Sequence, residues 1–253
     1  MKRIVSALLL SILLAASQAA PSQPEARIVG GDDVEPGQLP YQGFLTIGGT
    51  ATCGVSILSE RYALTALTCI CSSGSNRPWP PQLFSVTAGT VELYRGGVKI
   101  VVEEITLNPN YSSLDTGIAL LKLKEPFVFS DKIQPIALSA VEPPLNAEVE
   151  ISGWGRIKQT EENLYRTLQI NEAVVVDTQE CATLTDKVEE QVLCLRSPRK
   201  NGICRGDFGG PAVYEGKLVG MSAYVLGDCG SMLPDVFVSI ASNYDWIQAQ
   251  IAM

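Results

Sequence analysis

The sequence contains no histidine among its 253 residues. Histidine is the only side chain whose ordinary pKa places its charge change near neutral pH, and it is the commonest metal ligand. It is also the side chain used most often as a general base. The absence of an imidazole excludes the catalytic and metal-binding arrangements that depend on one, so we predict no metal site and no cofactor.

Positive charge and long apolar runs are also scarce. The formal net charge is −8, which disfavours nucleic acid and anionic lipid as partners. One apolar run, from Ile4 to Ala16, follows Lys2 and Arg3 and precedes the small residues around Ala19. It is too short to span a bilayer comfortably and is typical of a secretory signal. We predict a signal peptide over residues 1–19, an extracellular location, no membrane anchor, and a net charge of −10 once Lys2 and Arg3 are removed.

Two further features are typical of a secreted chain. Seven cysteines indicate a disulfide framework with one cysteine left over. The sequon Asn110-Tyr111-Ser112 lies in a turn rich in proline and asparagine, so we predict that Asn110 is exposed and glycosylated.

From Tyr41 onward the chain alternates short β-forming runs with Gly, Pro, Ser and Asn, which predicts an antiparallel all-β fold. Trp246, Ile247 and Ile251 stand at helical spacing and predict a terminal helix over Asn243–Met253. The proline-rich segment from Lys124 to Asn146 predicts a crossing between two β halves. The predicted strands are Gln42–Thr46, Gly54–Leu58, Tyr62–Ala66, Phe84–Ala88, Val98–Leu107, Gly117–Leu123, Glu148–Gly153, Leu168–Val176, Gln191–Leu195, Ala212–Val225 with a turn at Glu215-Gly216, and Asp235–Ile240.

Several ordered motifs resemble those of the trypsin-like serine proteases. Cys53 to Cys69 reads C-G-V-S-I-L-S-E-R-Y-A-L-T-A-L-T-C and is similar to C-G-G-S-I-L-x-x-x-x-x-L-T-A-A-H-C. Cys204 to Pro211 reads C-R-G-D-F-G-G-P and resembles C-x-G-D-S-G-G-P. Further matches are Ser152-Gly153-Trp154-Gly155, Pro234-Asp235-Val236-Phe237 and Tyr244-Asp245-Trp246-Ile247. The resemblance covers residues 27 to about 250 and implies two six-stranded antiparallel β-barrels with a C-terminal helix, forming one domain over residues 28–253.

At the three catalytic positions that the resemblance implies, this sequence departs from the family. Phe208 replaces the nucleophilic serine, Thr68 replaces the histidine, and Gly117 replaces the aspartate. A phenyl ring has no lone pair to attack a carbonyl, and a threonine hydroxyl is not a base near neutral pH. Asp115 lies two residues before Gly117, about 7 Å away along an extended strand, and we expect it to be a solvated turn residue. We therefore predict that the chain is not an enzyme.

The activation site of the family is retained. Arg27 precedes Ile28-Val29-Gly30-Gly31, which resembles the bond cleaved in trypsin-like zymogens, so residues 20–27 would be a short propeptide. The resemblance implies that the freed amino group of Ile28 pairs with Asp207. The alternative is that both residues are inherited without being used.

The specificity pocket that the resemblance implies is also altered. Gly202 stands where trypsin has an acid, and Val225 and Asp235 stand where the family has glycines. We expect a narrowed pocket that contains a carboxylate, and we hypothesise that Asp235 attracts a basic ligand if the pocket stays open. The oxyanion-type amides would be those of Gly206 and Phe208.

The family pattern implies disulfides between Cys53 and Cys69, Cys181 and Cys194, and Cys204 and Cys229. Cys71 is then unpaired, and its polar surroundings predict a position near the surface. Two interpretations stay open: a disulfide link to a second chain, or a buried or capped thiol.

Together these features predict a secreted, non-catalytic serine protease homologue that acts by binding an extracellular protein, such as an active protease, its substrate or its inhibitor. It would serve as a regulator, cofactor or decoy in an extracellular proteolytic pathway, for example in a reproductive or immune fluid. The alternatives are a serine endopeptidase, by analogy of fold alone, and a structural component of a secreted fluid.

Overall fold

The computed structural model describes residues 31–72, 75, 77–111, 113–184 and 191–252. The predicted signal peptide (1–19), the propeptide (20–27) and the Arg27–Ile28 bond lie outside these residues.

The first half of the chain forms a closed antiparallel barrel, preceded by a two-residue strand, β1 (Asp32–Asp33). Its strands are connected in the order β2-β3-β4-β7-β6-β5. Val, Leu and Ile side chains alternate into its centre with Phe84, so the barrel is filled by apolar side chains. The strands are β2 (Gln42–Ile47), β3 (Thr50–Ile57), β4 (Tyr62–Ala66), β5 (Phe84–Ala88), β6 (Val98–Leu107) and β7 (Ile118–Leu123).

The second half forms a second closed barrel in the order β9-β10-β11-β14-β13-β12, because β9 pairs with both β10 and β12. A short strand, β8 (Ala137–Leu138), joins it by parallel pairing with β13, and β1 pairs with β10. The two six-stranded barrels confirm the predicted fold. The six strands of this barrel are β9 (Glu148–Gly153), β10 (Gln169–Val176), β11 (Val192–Arg196), β12 (Pro211–Tyr214), β13 (Lys217–Val225) and β14 (Asp235–Ser239).

Two short α-helices accompany the barrels. The first, α1 (Thr178–Ala182), begins where the Asp177 carboxylate accepts a hydrogen bond of 2.8 Å from the Gln179 N–H, as an N-cap does. The second, α2 (Tyr244–Ile251), docks through Ile247, which is fully buried. It confirms the predicted terminal helix. No helix in the described part of the chain is long and apolar enough to cross a bilayer.

A shared apolar cluster joins the two barrels. Leu64 and Leu120 of the first barrel pack with Met221 and Val238 of the second and with Ile247 of α2. The segment 124–146 crosses between the barrels, and within it the Ile136 N–H donates to the Ile57 carbonyl at 2.9 Å. The cleft between the barrels is therefore bordered by a continuous core.

Three pairs of cysteines form disulfides, as predicted: Cys53 with Cys69, Cys181 with Cys194, and Cys204 with Cys229. Each closes a loop within one barrel. Such bridges typically contribute about 2–4 kcal/mol by restricting the unfolded chain.

Three elements were not predicted. β1 and β8 contain two residues each, which is too short for an alternating pattern to be visible, and they exist only because a neighbouring strand offers a free edge. The five-residue helix α1 has little helical periodicity of its own and depends on its cap and on the buried Cys181.

Candidate functional site

The structure brings together the segments that contain Thr68, Gly117 and Phe208, the three positions that the resemblance assigns to the triad. Thr68 lies in a single 3₁₀ turn, Leu67–Cys69. The Leu67 N–H donates to the Gly117 carbonyl at 2.9 Å, and Cys69 Sγ lies 3.4 Å from the Phe208 carbonyl oxygen. These positions therefore share one site although they come from three distant parts of the sequence.

Phe208 lies across the boundary between the two cores. It is half-buried, and it packs against the apolar clusters of both the first and the second barrel. Its carbonyl also accepts a hydrogen bond of 2.8 Å from the Gly54 N–H. An aromatic ring thus occupies the part of the cleft where the family motif places a small hydroxyl side chain.

The space beside Gly117 is filled by neighbouring side chains. A Cβ atom built at residue 117 would lie 2.6 Å from Leu67 Cδ2 and 3.2 Å from Tyr111 Cγ. Leu67 stands where the family motif has alanine, and it is fully buried. A larger residue at position 67 and a smaller one at position 117 therefore complement each other sterically.

Thr68 and Asp115 both lie in short 3₁₀ turns, Leu67–Cys69 and Leu114–Thr116. The Thr68 hydroxyl is buried and has no hydrogen-bond partner among the described residues. The turn that contains Asp115 comes before β7, which begins at Ile118. This position agrees with the prediction that Asp115 is a turn residue.

The carboxylate of Asp207 is buried, with 1% of the residue exposed. Its Oδ1 accepts from the Gly155 N–H at 2.7 Å and its Oδ2 from the Cys204 N–H at 2.9 Å. Burial raises the pKa of Asp207 to about 7, although the two hydrogen bonds oppose the increase. The predicted partner, the amino group of Ile28, lies outside the described residues.

Two glycines make room for this carboxylate. A Cβ atom at Gly153 or at Gly155 would overlap the oxygens of Asp207. The Ser-Gly-Trp-Gly motif of residues 152–155 therefore supplies the cavity for the acid of the nucleophile loop. In the sequence, the two glycines that flank Trp154 are the signal that indicates this role.

Asp235, which the resemblance assigns to the specificity pocket, turns toward the protein backbone. It is 7% exposed, and its Oδ2 accepts from the Ile203 N–H at 3.1 Å. A Cβ atom at Gly202 would lie 2.6 Å from the same oxygen, and Val225 is the direct strand partner of Asp235. Burial raises the pKa of Asp235 to about 8; the hydrogen bond from Ile203 opposes the increase, and repulsion from Asp207 adds to it. The carboxyl group is thus bonded to the backbone and shielded from solvent.

Cys71 is buried, so the prediction of a position near the surface is wrong. The residue is 9% exposed and packs in the core of the first barrel. Its N–H donates to the Leu67 carbonyl at 3.1 Å, and its backbone forms a bridge with Pro78. These contacts fold the loop onto the barrel, and burial raises the pKa of the thiol. Of the two interpretations, this arrangement favours the buried thiol.

Asn110 is exposed, as the glycosylation hypothesis requires. The hydroxyl residue of its sequon, Ser112, lies outside the described residues. Glycosylation at Asn110 stays a prediction.

The steric pairing of Leu67 with Gly117 generates a prediction. We expect Gly117→Ala to lower the free energy of unfolding by about 1–3 kcal/mol, because the added methyl group overpacks the site. In a Leu67→Ala background, Gly117→Ala should lower the free energy of unfolding much less, because the Leu67 side chain no longer occupies the space. Urea unfolding of the four proteins in a double-mutant cycle measures this coupling, and strictly additive effects would contradict the pairing.

The burial of Asp235 generates a second prediction. A pKa raised in the folded state adds stability that is complete below the ordinary value of 3.8 and is lost as the pH rises through about 8. Asp235→Asn keeps an acceptor for the Ile203 N–H and removes the charge. Relative to the wild type, the variant should gain at least about 1 kcal/mol, the equivalent of one pKa unit, between pH 5 and pH 8 in urea unfolding.

The matched control for this experiment is Asp131→Asn, because Asp131 is exposed. Its stability relative to the wild type should not change between the two pH values. An equal change in both variants would show that Asp235 is not the group responsible.

The comparisons with known proteins agree with this geometry. The sequence matches the trypsin family over residues 28–247. It is 37% identical over 238 residues to "Serine protease SP24D" of Anopheles gambiae, covering 94% of this chain and 86% of that protein. It is 32% identical to "Trypsin 5G1" of Aedes aegypti, covering 88% of this chain and 84% of that protein.

Two solved structures have the same fold. Neuropsin, a serine protease expressed in the limbic system of mouse brain, superposes with a TM-score of 0.79 at 27% identity, covering 87% of this chain and 98% of that one. Human heparin binding protein superposes with a TM-score of 0.76 at 25% identity, covering 88% and 96% of the two chains. With the match over residues 28–247, the chain belongs to the trypsin family.

Proposed function

We propose that this chain is a secreted, non-catalytic member of the trypsin family that acts by binding another extracellular protein. Its role would be that of a regulator, cofactor or decoy in a proteolytic pathway of an extracellular fluid. The observation that carries the proposal is Phe208, which stands at the nucleophile position and packs against both barrel cores.

The proposal rests on three losses that affect three different steps. Acyl transfer by this family's arrangement needs a nucleophile, a base that takes its proton, and a group that orients the base. Phe208 offers no nucleophile, and the chain of 253 residues offers no histidine as the base. At the third position, the space beside Gly117 is occupied by Leu67. Each loss by itself would lower turnover by orders of magnitude.

The rest of the scaffold is retained, which favours a role in binding. Both barrels close, three disulfides form, and the cavity for Asp207 is present. Disulfides are typical of proteins in oxidising, extracellular environments, which supports secretion together with the predicted signal peptide. One structural neighbour is named for heparin binding, but a net charge of −8 disfavours a polyanion here. A protein partner fits this charge better.

The second candidate is a serine endopeptidase. The names of two relatives, "Serine protease SP24D" and "Trypsin 5G1", favour it. Hydrolysis by this chain would then need a nucleophile and a proton acceptor other than those of the family motif, because no imidazole exists anywhere in the sequence.

Labelling and turnover distinguish the two candidates. Incubated with a sulfonyl fluoride that modifies active-site serines, the protein should gain no mass in intact mass spectrometry. Its hydrolysis of peptide thioesters should not exceed the rate in buffer, because neither nucleophile nor base is available. Active trypsin serves as the positive control.

The variant Phe208→Ser extends the test. It restores a hydroxyl group but not the base, so it too should stay unlabelled. A stoichiometric adduct on the wild-type chain, or turnover that the inhibitor abolishes, would overturn the non-catalytic proposal in favour of the endopeptidase.

Intact mass of the naturally secreted protein tests whether the activation bond is used. We expect a mature chain that begins at Ile28, because the described residues offer Asp207 two N–H donors but no cation, and an unpaired buried carboxylate is costly. Without reductant the mass should be that of one chain, with the Cys71 thiol alkylated only after unfolding. A chain that begins near Ala20 would mean that the switch is not operated, and a doubled mass would mean that Cys71 reaches a partner.

A further inference from the structure

A cavity of about 260 Å³ lies between the loop that follows β5 and the segment that precedes β2. None of the three triad positions lines it. A cavity of about 150 Å³ can hold benzene, so this one has space for a small organic molecule. Its lining includes apolar side chains, Leu39, Val91 and Leu168, and polar ones, Gln42, Glu92 and Lys132.

Hydrogen bonds hold the loop that forms one wall of the cavity. The Thr90 hydroxyl donates to the Arg95 carbonyl at 2.8 Å and accepts from the Glu92 N–H at 3.0 Å. The Leu168 N–H donates to the Val91 carbonyl at 2.7 Å, which ties the loop to the second barrel. The wall is therefore formed in advance, and a ligand that enters the cavity does not have to order it.

Gln42 supplies a buried polar group to the lining. It is 2% exposed, and its Oε1 accepts from the Ser152 hydroxyl at 2.8 Å, which fixes the orientation of the amide. Its Nε2 donates to the Gly43 carbonyl at 3.4 Å, which is longer than a normal N–H···O hydrogen bond. An amide nitrogen carries two N–H groups, so at least one of them has no acceptor among the described residues. A buried donor in this situation favours a ligand that offers an acceptor.

Two groups of opposite charge also line the cavity. Glu92 is half-buried and Lys132 is exposed. Among the described residues, neither side chain takes part in an ion pair. An uncharged apolar ligand would leave both groups unpaired, and an ion of one sign would meet one group of its own sign. A ligand that carries both charges can pair with both groups.

We propose that this cavity binds a free α-amino acid with an apolar side chain. The carboxylate of the ligand accepts hydrogen bonds from Lys132 and from the Gln42 amide, and its ammonium group pairs with Glu92. Its side chain packs against Leu39 and Leu168, which removes apolar surface from water. The inference goes beyond the proposed function, because it assigns a small-molecule ligand to a site separate from the triad positions.

Calorimetry with matched ligands tests the proposal. L-Valine, L-leucine and L-phenylalanine are titrated into the full secreted protein at neutral pH, and at least one of them should bind with saturation. The carboxamide of that amino acid lacks the carboxylate, and its N-acetyl derivative lacks the ammonium group. Each should bind about fivefold more weakly, as expected for the loss of one ion pair near the surface. Glycine lacks the apolar side chain and should bind at least about tenfold more weakly.

Variants at the two charged positions assign the contacts. Lys132→Gln should reduce the preference for the amino acid over its carboxamide, and Glu92→Gln should reduce the preference over the N-acetyl derivative. Lys124→Gln and Glu125→Gln are the matched controls, because both residues are exposed and neither lines the cavity. The controls should leave both preferences unchanged.

Three outcomes would overturn the proposal. The first is the absence of saturable binding of all three amino acids at concentrations up to about 10 mM. The second is equal affinity for the amino acid and both of its derivatives, or for the amino acid and glycine. The third is an unchanged preference in both the Lys132 and the Glu92 variant, which would mean that the amino acid binds elsewhere.

Discussion

The buried carboxylate of Asp207 shapes the cleft of this protein. It is held by the N–H groups of Gly155 and Cys204, and it leaves no space for a side chain at Gly153 or Gly155. Because a buried acid must be hydrogen-bonded to be tolerated, these contacts force the nucleophile loop to curl around it. The Gly210 N–H closes the same turn by donating to the Asp207 carbonyl at 2.8 Å.

The replaced triad positions have been incorporated into the packing. Phe208 joins the cores of both barrels, and Leu67 occupies the space that a side chain at position 117 would need. Protein interiors are close-packed, so a change of volume at one position is felt by its neighbours. A change of side-chain volume at position 67, 117 or 208 would therefore require its neighbours to adjust.

Two buried acids, Asp207 and Asp235, make the stability of the fold depend on pH. Burial raises the pKa of both Asp207 and Asp235 toward neutrality, so each favours the folded state when protonated and opposes it when ionised. A cation beside Asp207 would reverse this effect at that residue. The amino group of Ile28, which the proposed cleavage would free, would be such a cation.

Local patterns in the sequence were enough to determine much of this protein. Strand alternation set the bounds of β4, β5, β6 and β9, and the family motifs indicated the barrels, the disulfide pairs and the altered triad, because these depend on spacing along the chain. Only the tertiary structure decided the burial of Cys71, the 3₁₀ turn at Leu114–Thr116 and the position of Asp235 against Gly202. Each of these features depends on which distant segment of the chain packs against the residue. The periodicity of the sequence does not indicate which segment that is.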